Sequence, residues 1–79
     1  MQIKVLGSGC ANCKKLYKLV QDAVKELGRD DEIIYVTDMA EIAMAGVMRT
    51  PALIIDGAVR VSGRVPKLDE IKELLNAAR

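Results

Sequence analysis

Histidine is missing from this chain, and so are tryptophan and phenylalanine. Without histidine there is no Ser-His-Asp or Cys-His nucleophile, no imidazole general base and no His-ligated zinc. Aromatic residues amount to 3%, two tyrosines alone, so the interior has to be built from aliphatic side chains and methionine. Cysteine is scarce as well, and two residues do not complete a four-Cys zinc site within one chain. Neither sign of charge dominates: 12 basic residues stand against 11 acidic ones, interspersed, for a net charge of +1. That balance argues against a nucleic-acid footprint or a polybasic membrane patch. No apolar run approaches the ~20 residues of a membrane span. The apolar opening around Ile3, Val5 and Leu6 is cut by Gly7-Ser8-Gly9 before it could serve as a signal-peptide core. These absences predict a soluble, cytoplasmic protein with no nucleic-acid or membrane partner.

What is present is a hydrophobic content of 51% in 79 residues, enough for a packed core and for a single domain spanning 1–79. Gln2–Leu6 reads as a short strand. From about Ala11 the period becomes helical, with Leu16, Tyr17, Val20, Ala23, Val24 and Leu27 on one face and Lys14, Lys15, Lys18, Asp22, Lys25 and Glu26 on the other. Gly28 supplies the stop. Ile33–Thr37 is β-branched and apolar, a second strand expected to be covered on both faces. Asp38 with Glu41 suggests a capping-box variant opening a short helix whose apolar side is Met39, Ile42 and Ala45, ended by Gly46. Thr50-Pro51 precedes a third strand, Ala52–Ile55. Asp56-Gly57 is a strong signal for a type I′ hairpin turn into a fourth strand, Ala58–Val61. Pro66 sits where a last helix could begin, with Asp69 and Glu70 in its first turn and Leu68, Ile71, Leu74, Leu75 and Ala78 as its buried stripe. The order βαβαββα, with one right-handed parallel crossover and one hairpin, predicts an α/β three-layer sandwich around a four-stranded mixed sheet.

The chemistry concentrates in Cys10-Ala11-Asn12-Cys13, a C-x-x-C just after a strand and at the opening turn of a helix. Its spacing puts both sulfurs on one side of the first turn, close enough for a disulfide. The free N–H groups and dipole of the helix N-terminus favour a thiolate on Cys10, whose pKa is expected below the ordinary thiol value. Lys14 and Lys15 add positive potential, though they read first as solvated helix-face charges. Cys13 aligns with Leu16, Tyr17 and Val20 and so falls on the buried face. Position alone thus suggests an exposed attacker and a buried resolver.

The strand, the C-x-x-C opening a helix and the Thr50-Pro51 before a hairpin strand resemble the thioredoxin-like fold. The match is to the family of small archaeal and bacterial thioredoxin-like proteins, or redox-active disulfide proteins, which share the start seen here as Gly7-Ser8-Gly9-Cys10-Ala11-Asn12-Cys13. The resemblance covers essentially the whole chain. It implies a thiol–disulfide oxidoreductase with Cys10 as nucleophile, Cys13 as resolving thiol, and Pro51 in a cis peptide bond facing them. Thr50 would then offer its backbone to an extended substrate, with Ala11, Asn12 and Met48 as further substrate contacts. Asn12 can equally serve only to stabilise the turn. No cofactor is implied. The partners are disulfide-containing proteins and a reductase or thiol donor, and the protein is expected to be monomeric. The chain departs from familiar thioredoxins in three places. Ala-Asn replaces Gly-Pro between the cysteines, Gly9 stands where a tryptophan is usual, and Lys4 lies close to the position of a buried aspartate. Ser62-Gly63 replaces the Gly-Gly with which glutaredoxins help to hold glutathione.

Other readings stand beside this one. A C-x-x-C also marks soft-metal carriers that bind Cu(I) through two thiolates. Their ferredoxin-like domain ends in a strand, whereas this chain ends in a helix. A dimer sharing a zinc ion or an iron–sulfur cluster through two cysteine pairs, or a module whose disulfide state controls partner binding, stays open. Tyr17 and Tyr35 read as core or edge residues. Met39, Met44 and Met48 read first as residues that pack or cap the short second helix, and an exposed docking role for Met48 is the second reading.

Overall fold

The stretch Gln2-Ile3-Lys4-Val5-Leu6 leaves Gln2 exposed and Lys4 half-buried but buries Ile3, Val5 and Leu6, so that both of its faces meet apolar layers. In the computed structural model, which describes residues 2–9 and 11–77, it is the inner strand β1 (Gln2–Leu6). It is followed by α1 (Ala11–Glu26), β2 (Glu32–Val36), α2 (Met39–Met44), β3 (Ala52–Ile55), β4 (Ala58–Ser62) and α3 (Leu68–Ala77). The sheet order is β2-β1-β3-β4. β1 runs parallel to β2, with Gln2 opposite Glu32 and Leu6 opposite Val36. β1 and β3 are antiparallel, Leu6 facing Ala52, and β3 pairs antiparallel with β4. The expected order and mixed sheet are therefore present.

Alternation splits the apolar residues into two layers. Ile3, Val5, Leu53, Ile55 and Val61 face α1 and α3, where they pack with Leu16, Val20, Ala23, Val24, Ile71 and Leu75. Leu6, Val36, Ala52 and Ile54 face the other way and pack with Ile42 and Val47. Tyr17 of α1 stacks on Tyr35 of β2, ring centroids 5.0 Å apart. α1 ends in a Schellman arrangement: the Gly28 N–H donates to the Lys25 carbonyl and the Arg29 N–H to that of Val24. Arg29 then donates to Asp31 and to the Leu75 carbonyl, which ties this loop to α3.

Several expectations need correction. β2 starts and ends one residue earlier than the β-branched run, and its two faces are both covered, Ile33 and Tyr35 on the α1 and α3 side and Ile34 and Val36 on the α2 side. It is an edge strand bonded only to β1, and Ile33, Ile34 and Tyr35 are half-buried. Asp38 does cap α2, its carboxylate accepting from the Ala40 N–H at 2.9 Å, but Glu41 makes no reciprocal bond among the described residues. The apolar side of α2 reduces to Ile42, because a six-residue helix has one turn and a half to lay on the sheet. Met39, Met44 and Met48 neither pack nor cap: they are 62%, 87% and 94% exposed, and Ala45 is exposed as well. α3 begins at Leu68 rather than at Pro66. The Ile71 N–H bonds back to the Lys67 carbonyl, and Pro66 is buried before the helix starts. Ala78 lies outside the described residues.

The hairpin turn has φ values of 50° at Asp56 and 82° at Gly57, the pair of positive angles that a type I′ turn demands. β3 and β4 slip by one residue between Leu53 and Ile54. Leu53 faces Val61 and Ile54 faces Val59, which leaves Arg60 as the unopposed residue of a bulge.

Candidate active site

The register of β1 and β3 decides where the site forms. Leu6 lies opposite Ala52, so the residues just beyond, Gly7 and Pro51, leave the sheet at the same end. Gly7 keeps one more bond to the parallel neighbour, its N–H donating to the Val36 carbonyl at 3.0 Å. The chain then turns through Ser8 and Gly9 into α1. Cys10 lies outside the described residues. Ala11 and Asn12 open the helix on its exposed side, and Cys13 is fully buried within the first turn.

Cys13 presses against the Cα of Gly7. A Cβ added there would lie 2.7 Å from the Cys13 Cβ and overlap its sulfur. The sequence signal for this contact is only a glycine after a strand, which reads as a turn. Packing of a helix against the loop that feeds it is a long-range fact that the turn chemistry does not announce. The helix end that carries the C-x-x-C has no acidic residue in its first turn, while Lys14 and Lys15 follow at exposed positions. Its N–H groups and dipole therefore act on the thiol region without a competing carboxylate on the same turn.

The second half of the site is the loop before β3. The Thr50–Pro51 peptide bond is cis. Pro51 is buried, Thr50 is half-buried and Met48 projects into solvent. The loop is held from the far side by the end of β4. Ser62 Oγ donates to the Arg49 carbonyl at 3.0 Å, and the Gly63 N–H donates to the Pro51 carbonyl at 2.9 Å. Gly63 has a φ of 81°, and a Cβ there would stand 3.0 Å from the Arg49 Cβ. A side chain at that position is thus opposed by both backbone and neighbour. Ser62 and Gly63 therefore brace the Thr50–Pro51 loop, a role that reading them as a strand end and a turn does not reveal. Lys4, on β1, faces the α2 side of the sheet and is half-buried, away from the layer that packs on α1.

A buried cysteine in the first turn of a helix, a cis-proline loop at the same end of a mixed four-stranded sheet and helices on both faces define the class of thioredoxin-fold redox proteins. Comparison with known sequences narrows this. Residues 1–76 match the family described as the thioredoxin domain. The chain is 43% identical over 76 residues to a protein named thioredoxin from Methanothermobacter thermautotrophicus, covering 96% of this chain and 99% of that one. It is also 43% identical over 75 residues to a thioredoxin from Methanocaldococcus jannaschii, covering 95% of this chain and 86% of the relative. The chain belongs to the thioredoxin domain family, and within it resembles these small archaeal members over nearly its full length. Its activity is thiol–disulfide exchange. No helix among the described residues is long and apolar enough to cross a membrane.

Proposed function

We propose that Cys10 is the attacking thiolate and Cys13 the resolving thiol of this exchange, within one domain formed by residues 1–79. The observation that carries the assignment is the complete burial of Cys13 against Gly7, one helical turn behind the C-x-x-C opening. A thiol so placed is shielded from a bulky disulfide and can reach only a sulfur already delivered to the helix end. In the reductive direction the Cys10 thiolate attacks one sulfur of the substrate disulfide. The Cys10–substrate bond forms and the second substrate sulfur leaves as a thiolate. Cys13 then loses its proton and attacks the Cys10 sulfur. The mixed disulfide breaks, the substrate leaves with its second thiolate, and the Cys10–Cys13 disulfide retains the oxidation. Two electrons have passed to the substrate. A flavoprotein reductase, glutathione or another thiol donor restores the pair.

The substrate segment lies extended along Thr50, whose peptide polar groups sit beside the cis-proline, with Ala11, Asn12 and Met48 forming the rim. The exposure of Ala11, Asn12 and Met48 supports that role. The substrates are disulfide-containing proteins, the protein acts as a monomer, and it works in the cytoplasm, where such pairs stay reducible.

Trapping tests the assignment. Cys13→Ser incubated with oxidised insulin and quenched in acid should accumulate a mixed disulfide, read as added mass. Cys10→Ser should form at least tenfold less. Equal trapping by both variants would overturn the unequal roles and favour two interchangeable thiolates, as a metal-binding pair would have.

A further inference from the structure

Strand β1 carries one charged residue, Lys4, and the register sets it between Ile34 of β2 and Ile54 of β3. Its side chain leaves the sheet on the face that α2 covers. There it helps to line a pocket of about 190 Å³ whose apolar walls include Leu6, Val36 and Ile54 and whose α2 side includes Glu41 and Ala45. The pocket is open to solvent on one side. Lys4 is half-buried, and neither its ammonium nor the Glu41 carboxylate makes a hydrogen bond or ion pair with another described residue. A lysine stem lying on apolar surface with its head at a polar opening is ordinary. Here Lys4 and Glu41 line the same concave space, whose floor is apolar.

We propose that this pocket binds small organic monocarboxylates with a ring-sized apolar body. The size fits, since an apolar cavity of about 150 Å³ accepts benzene. The Lys4 ammonium takes the carboxylate in a charge-assisted hydrogen bond, which is stronger than a neutral one. Leu6, Val36 and Ile54 take the apolar body. Glu41 disfavours a second negative charge on the ligand. The site is separate from the cysteines, although β1 runs on from it to Gly7, and α2 runs on from it toward the Thr50–Pro51 loop.

The test is a titration of the ¹⁵N-labelled full chain with benzoate, benzamide and benzylamine, read by amide chemical shifts. Benzoate should move Lys4, Leu6, Ala45 and Ile54 together, with benzamide at least tenfold weaker and benzylamine without effect there. Lys4→Met keeps the stem and removes the charge, and should weaken benzoate about tenfold or more. Glu41→Gln, at an exposed position that folding does not depend on, should tighten it roughly twofold, because a repelling charge has gone. Benzamide matching benzoate, shifts scattered outside the pocket, or no response to either substitution would overturn the proposal. If Lys4→Met fails to fold, the sign of the Glu41→Gln effect and the benzamide comparison decide. No disulfide substrate enters the titration, so its failure leaves the redox assignment untouched.

Discussion

The two faces of the sheet are built to different standards. Against α1 and α3, eleven buried residues from five elements interlock, and seven further half-buried hydrophobics seal their edges. Against α2 there are six buried residues, a pocket and a lysine. The outer surface of α2 is dominated by methionine and alanine. The first face has two helices of 16 and 10 residues to cover it, the second a helix of six. Cohesion is thus concentrated on one side, and the side with slack is the one whose chain continues into the cis-proline loop. The reacting end lies where the two faces meet: Cys13 hangs from the well-packed helix, while Thr50 and Pro51 end the segment that follows the sparse one.

The largest test of this contrast is a pair of truncations. Leu53→Ala, in the large layer, should cost about 3–5 kcal/mol. A domain of this size has roughly 3–5 kcal/mol in hand, so the variant should be mostly unfolded at 25 °C by circular dichroism. Ile42→Ala, the single buried anchor of α2, should cost about 2 kcal/mol in urea denaturation, because the short helix can settle into the gap. Met44→Ser should change stability by less than about 0.5 kcal/mol. Equal costs for Leu53 and Ile42 would erase the distinction between the faces.

A second test addresses the seam. Gly7→Ala places a methyl against Cys13 and should cost about 1–3 kcal/mol, since neither β1 nor α1 can move freely. In the same variant the resolving step should slow, so the mixed disulfide with insulin should persist longer than in the parent protein. A variant of parental stability and unchanged resolution would mean that Gly7 is only a turn residue.

The smallest expected effect lies on the surface. A hydrogen bond from Arg64 holds the Glu70 carboxyl below the usual carboxylate range. A carboxylate with a lower pKa in the folded state binds fewer protons there than in the unfolded chain. Its contribution is therefore present above the ordinary carboxylate range and is lost as pH falls through the depressed folded value. Both groups are exposed, so Glu70→Gln should barely alter stability at neutral pH and should slightly flatten its acid limb.

Much of this arrangement could be read from residue order. The α1 stripe from Leu16 to Val24, the Asp38 cap and the Asp56-Gly57 turn rest on local periodicity and turn chemistry, and the parallel β1–β2 and antiparallel β3–β4 pairs follow from the crossover and the hairpin, whereas the central β1–β3 pairing is a long-range contact that neither announces. The C-x-x-C stood out because its spacing and its place at a helix opening are local as well. The cis geometry at Thr50 came only with a family resemblance, since nothing within the dipeptide requires it. The roles of Gly7, Ser62 and Gly63 were hidden because their partners, Cys13, Arg49 and Pro51, are brought to them by the fold. The exposure of Met39, Met44 and Met48 is not legible in the sequence for a related reason. Apolar side chains at helical spacing imply a buried stripe only when the helix is long enough to present one, and α2 is not.

The bulge at Arg60 bears on how the molecule behaves in company. β4 is an outer strand, and an outer strand with evenly spaced free N–H and C=O groups is a template on which another chain can pair. An unopposed residue breaks that spacing in the middle of the strand, increases its twist and sets a guanidinium-bearing side chain at the break. A fifth strand laid along β4 would find its ladder out of step after two residues. The irregularity that costs β4 some of its pairing with β3 thus works against edge-to-edge aggregation, at the strand whose end holds the Thr50–Pro51 loop in place.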